Sequence, residues 1–95
     1  MLEKEIKESI QEILGLCLDA KMQGHDVFFD YNAHVDWCDV RVCVDGFGKK
    51  KCYDKIFGFV HTNITNDSDR ETIEKVFAKH KEVKDYLKQL VGEET

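Results

Sequence analysis

The sequence predicts an α+β domain in the order α-β-β-β-α: a three-stranded antiparallel sheet with both helices packed on one face. Three observations lead there. A long segment at each end repeats apolar residues every three or four positions, the period of an amphipathic helix. Between them, residues 26–45 (DVFFDYNAHVDWCDVRVCVD) contain no Gly and no Pro and are dense in Val, Phe, Tyr and Trp, the composition of strands. With 95 residues the chain has room for one domain, 1–95, and one thin core.

The first helix is expected over residues 2–22. Leu2, Ile6, Ile10, Ile13, Cys17 and Ala20 fall on one stripe, which Leu14 and Leu18 are expected to widen. Gly24 stands where a left-handed residue would end the helix. The first strand is expected over 26–32 and the second over 35–45. Side chains alternate faces along a strand. Val27, Phe29 and Tyr31 therefore share one face with Cys38, Val40, Val42 and Val44. Phe28, Asp30 and Asn32 share the other with Val35, Trp37, Asp39, Arg41 and Cys43. A turn centred on Ala33 and His34 pairs Phe29 with Cys38, Asp30 with Trp37, Phe28 with Asp39 and Asp26 with Arg41. A slip by one residue would mix the faces, so burial selects this parity.

Asp45-Gly46-Phe47-Gly48 is a turn signal. The third strand is expected within 52–61. Its apolar residues, Ile56, Phe57, Phe59 and Val60, fall on both faces, so the pattern leaves open which face is buried. The second helix is expected from Ser68, which forms a capping box with Glu71, to Gly92. Its stripe is Ile73, Val76, Phe77, His80, Val83, Leu87, Leu90 and Val91. Packing both stripes on the Val27/Phe29/Val40/Val42/Val44 face leaves Phe28 and Trp37 without a cover of their own.

Composition excludes several classes. A hydrophobic fraction of 42% and a charged fraction of 35% belong to a globular chain. No apolar run is long enough for a signal peptide or for the ~20 residues of a membrane span. A cytoplasmic protein without membrane contact is expected. The net charge of −5 disfavours a generic nucleic-acid binder. Lys49, Lys50 and Lys51, with Lys55 beyond them, are the one stretch that could touch phosphate, and they define an alternative reading as a nucleic-acid-binding domain.

Four cysteines, Cys17, Cys38, Cys43 and Cys52, include no CxxC pair. A reducing compartment disfavours disulfides, so packing thiols are expected. His25, His34, Cys38, Cys43 and Cys52 invite a zinc site. Cys38 and Cys43, five apart on one strand, point to opposite faces and cannot converge on a tetrahedral ion. No metal or other cofactor is implied. Cys38, predicted among valines, is a poor nucleophile even with His34 nearby. Cys43, predicted beside Arg41 and Asp39, is the better thiol. Asp30 and Asp39 form a possible carboxylate pair. Together these make a small enzyme the third reading. His80, in the second helix stripe, is read as a core-edge residue without a role.

What remains is Phe28 and Trp37 ringed by Asp30, Asp39 and Arg41, an aromatic anchor inside a polar rim. The leading expectation is a non-enzymatic interaction module that forms a homodimer or binds a host protein through these five residues. The element order resembles that of the double-stranded-RNA-binding domain. That family binds phosphate through a lysine-rich start to its second helix; here the stretch is Asp67, Ser68, Asp69, Arg70 and Glu71. The likeness is one of topology and carries no function. Residues 28–47 (FFDYNAHVDWCDVRVCVDGF) resemble a segment of small proteins encoded by phages and prophages of Gram-positive bacteria, with the same aromatic-Asp-aromatic, His-Val and Asp-x-Arg-Val pattern. The resemblance implies an accessory phage protein in the bacterial cytoplasm and transfers no catalytic residue.

Overall fold

A computed structural model describes residues 2–46, 53–62 and 69–92. The order is α1 (Leu2–Met22), β1 (Asp26–Asn32), β2 (Trp37–Cys43), β3 (Lys55–His61) and α2 (Arg70–Val91), with the sheet in the order β1-β2-β3 and both pairings antiparallel. Both helices lie on the Val40/Val42 face of the sheet, as the stripes predict.

α1 buries Ile6, Ile13, Cys17 and Ala20. Glu3 and Glu5 in its first turn and Lys21 in its last complement the helix dipole. Beyond it the chain reverses at Gly24, whose φ of 96° only glycine adopts without strain. α2 is capped one residue later than the sequence suggests. Its N-cap is Asp69, whose carboxylate accepts the Thr72 N–H at 2.7 Å. That bond holds the Asp69 carboxyl below its ordinary pKa. Ser68 lies outside the described residues. Gly92, in the left-handed region, closes the other end with its N–H on the carbonyls of Lys88 and Gln89.

The core joins Ile13 and Cys17 of α1, Cys38, Val40 and Val42 of β2, Phe57 and Val60 of β3, and Val83 and Leu87 of α2. Val27, Phe29 and Val44 pack against it. Leu14 and Leu18, expected to widen the α1 stripe, are instead exposed. They lie on a flank of the helix that the sheet does not reach. Burial raises the pKa of Cys17 to about 11 and that of Cys38 to about 12, so both thiols stay protonated and inert.

Among the described residues, a polar pair, His80 and Ser9, is buried beside this core. His80 of α2 is fully buried. Its Nε2–H donates to the His61 carbonyl of β3 at 2.7 Å, so Nδ1 is the acceptor and takes the Ser9 hydroxyl of α1, also at 2.7 Å. One imidazole thus ties three elements together, where the sequence suggested a core-edge residue with one bond.

The strand register corrects the sequence reading. Phe29 pairs with Val40, Asp30 with Asp39, Phe28 with Arg41 and Asp26 with Cys43, a shift of two residues. The cause is the turn. Residues 33–36 are all used in it, and β2 begins at Trp37 rather than at Val35. The Asn32 side chain accepts the His34 N–H, and the Asn32 carbonyl accepts from Asp36, which sits at φ 60°. An even shift keeps the parity, so each face keeps its residues while every partner changes.

Candidate interaction face

Beyond the Asp26–Cys43 pair at its end, the sheet face turned away from the helices carries side chains in three rows across the strands. The first row is Phe28, Arg41 and Ile56, and the third is Asn32, Trp37 and His61. In the middle row Asp30 faces Asp39, and Asp39 faces an irregularity in β3.

That irregularity is a β-bulge. Cys38 pairs with Val60 and Val40 with Phe57, so Gly58 and Phe59 together stand opposite Asp39. Strict alternation would send Phe57 and Phe59 to one face. The extra residue resets the count: Phe57 and Val60 are both buried, while Phe59 is 63% exposed. Phe59 adopts φ 57°, a conformation that costs a bulky L-residue on the order of 1–2 kcal/mol. The Asp39 carboxylate accepts the Phe59 N–H at 3.2 Å and holds the bulge in place. Gly58 is the other residue of the bulge, and a glycine inside a strand often marks one.

The bulge delivers Phe59 to Trp37. Their rings meet edge to face with centroids 4.8 Å apart, and His61 stands edge-on to the indole on the other side at 6.1 Å. Trp37 is half-buried, on the face opposite the one the helices cover. At the other end of the face, Arg41 lies between two rings, 5.9 Å from the Phe28 centroid and 5.5 Å from that of Tyr53, and forms an ion pair with Asp30. The Phe28 and Tyr53 rings meet edge to face at 5.8 Å. Two aromatic clusters therefore flank a middle row of two carboxylates. Like charges directly opposite repel. Here Arg41 neutralises one carboxylate and a backbone N–H engages the other.

All five residues expected at the interface, Phe28, Asp30, Trp37, Asp39 and Arg41, lie on this face. Their roles differ from the expectation. Asp39 supports the bulge, and Arg41 pairs with Asp30 rather than facing Asp26. Phe59, Ile56, Tyr53 and His61 complete the face and were missed. The signal that could have found Phe59 was Gly58, because a glycine inside a strand pattern marks a bulge. Lys49, Lys50 and Lys51 lie outside the described residues, as does Cys52.

The chemistry of the third reading changes. Cys43, expected beside Arg41 and Asp39 as the better thiol, is fully buried. Residues 53–54 fold back along this end of β2, with the Asp54 N–H on the Val42 carbonyl and the Asp54 carboxylate on the Val44 N–H. The sulfur is not exposed to solvent there. Asp30 and Asp39 do face each other, with Asp30 ion-paired to Arg41 and Asp39 accepting the Phe59 N–H, so each carboxylate has a structural partner.

Among the described residues no helix is long and apolar enough to cross a membrane. Comparison with protein-family models, with curated proteins and with solved structures found no match.

Proposed function

We propose that this chain is a non-enzymatic interaction module that receives a protein partner on the open face of its sheet. The observation that carries the reading is Phe59. An exposed aromatic side chain is held at a strained backbone position, supported by a dedicated carboxylate, and set against a half-buried tryptophan. Monomer stability does not select that arrangement. Strain of this kind clusters where a surface must present a side chain, and an apolar patch with a polar rim is the anatomy of an anchor site. Trp37 and Phe59 are the anchors; Asp30, Arg41 and His61 form the rim. The likeness of residues 28–47 to phage and prophage proteins supports a bacterial host protein as the partner and the cytoplasm as the place.

Immobilised wild-type protein and the Trp37→Ala variant, each exposed to bacterial lysate, test this. A protein retained by the first and lost from the second is expected. Once purified, it should bind the variant at least ~30-fold more weakly, the loss of a hot spot worth about 2 kcal/mol. A purified partner that binds both equally would sink the reading.

A further inference from the structure

The two halves of α1 pack on different neighbours. Ile13 and Cys17 join the core on the sheet, whereas Ile6 joins Ile73, Val76 and Phe77 of α2 in a second, smaller cluster. Where the helix changes partner, a groove of about 350 Å³ stands open between α1 and β1. Ile6 and Ile10 line it from the helix, and Phe29 and Tyr31 from the strand. Lys7 and Gln11, four residues apart on α1, edge it, and Thr62 closes the end beyond β3. Among the described residues the side chains of Lys7, Gln11, Tyr31 and Thr62 have no hydrogen bond or ion pair. Lys7 differs in this from the other helix lysines that line up with acids. Lys21, Lys75, Lys79, Lys81, Lys84 and Lys88 each meet a carboxylate. Lys7 meets none, although Glu3 stands one turn before it, at the N-terminal end of the groove.

We propose that this groove binds a small free monocarboxylate with an apolar chain. The chain lies against Ile6, Ile10 and Phe29, and the carboxylate head meets the Lys7 ammonium, away from Glu3.

Size, lining and charge each narrow the ligand. The volume stands at the small end of the roughly 300–1,000 Å³ that small-molecule sites occupy, and a folded partner needs a far broader surface. The aliphatic and aromatic lining selects a hydrocarbon body. Lys7 can only donate, and Gln11, Tyr31 and Thr62 can each turn a donor toward the same head, so the head that satisfies them is rich in acceptors and negative. The groove lies on the helix side of β1, whereas Trp37 and Phe59 stand on the open side. The site is therefore independent of the protein-binding reading.

Octanoate, octanol and octylamine, titrated separately into the isotope-labelled full chain and followed by amide chemical shifts, test this. Octanoate should saturate with a Kd on the order of 1 mM or tighter, the range for a ligand of about ten heavy atoms. It should move the amides of Ile6, Lys7, Ile10, Phe29 and Tyr31 and leave those of Trp37 and Phe59 in place. Octanol and octylamine should each bind at least ~5-fold more weakly, because neither offers Lys7 a negative acceptor. Lys7→Gln, an exposed change between two good helix formers, should erase the preference for octanoate over octanol. Trp37→Ala should leave octanoate binding unchanged, so this proposal and the open-face reading can fail separately. Equal affinity for the three probes, shifts that never saturate, shifts centred outside the groove, or a preference that survives Lys7→Gln overturns the proposal.

Discussion

Phe57 and Phe59 are the same residue, two positions apart on one strand. The first is 1% exposed and the second 63%. Phe57 sits in the core with Val40, Val42 and Leu87, its ring edge-on to Tyr86 at 5.5 Å and approached by the ammonium groups of Lys55 and Lys79. Phe59 rests on Trp37 in water. The helix face of the sheet is thus held by burial, and the open face by ring contacts and one ion pair between neighbouring strands. The bulge at Gly58 and Phe59 is the device that lets one strand serve both. The sharpest test of this contrast is Phe57→Ala, which should lower the unfolding free energy by about 3–5 kcal/mol in a urea melt, the cost of emptying an aromatic site in a packed core. A loss under ~1 kcal/mol would erase the distinction between the faces.

The next largest effect comes from the polar group inside the core. His80 is buried, and desolvation lowers its pKa from 6.5, against the bond to the His61 carbonyl, which raises it, and with Lys84, which lowers it further. Glu5, Glu8 and Glu12 of α1 line the neighbouring groove around Ser9. Protonation would turn Nδ1 from an acceptor into a donor facing the Ser9 hydroxyl. Below pH 6.5 the unfolded chain binds this proton more readily than the folded one. Stability is therefore fully present above about pH 6.5 and falls as the pH drops through that value toward the folded pKa, by at most ~1.4 kcal/mol per unit. Ser9→Ala strands a buried acceptor and should cost about 1–3 kcal/mol at pH 7.5. His80→Phe should remove this component of the acid-side slope. Melts of the three proteins between pH 5 and 7.5 decide it; an unchanged slope in His80→Phe would assign the pH dependence to other groups.

How much of this was written in the sequence depends on whether the deciding interaction is local. α1 runs over the expected residues because its stripe and Gly24 are properties of adjacent positions. The parity of β1 and β2 followed from alternation alone. Their partners did not, because the register depends on the Asn32 side chain capping a longer turn. The bulge was hidden for a related reason. It is stabilised by Asp39, twenty residues from Phe59 in the chain, and no local pattern joins them. Leu14 and Leu18 were assigned to the core because periodicity gives the width of an apolar arc and not how much of it a three-stranded sheet can cover. Cys43 was misjudged because residues 53–54 return along β2 only in three dimensions. Phe28, Asp30, Trp37, Asp39 and Arg41 share a face as expected, while Phe59 joins them through a bulge whose one local sign was Gly58.

The smallest expected effect tests the open face most directly. At Phe59, glycine would relieve a left-handed conformation that costs phenylalanine on the order of 1–2 kcal/mol. It would forfeit the ring contact with Trp37, worth about 0.5–1.5 kcal/mol, and add roughly 0.5–1 kcal/mol of backbone entropy to the unfolded chain. These contributions nearly cancel, so Phe59→Gly should change stability by no more than ~1 kcal/mol. Phe59→Val loses the ring and places a β-branched residue where φ is positive, so it should cost more than the glycine variant, about 1–3 kcal/mol. If valine proves as stable as glycine in the same urea series, the bulge holds no strain, and the argument that Phe59 is kept exposed for a partner loses its physical basis. If the order holds while both variants lose the partner alike, then the ring is displayed for binding at a position where the monomer gains little or nothing from it.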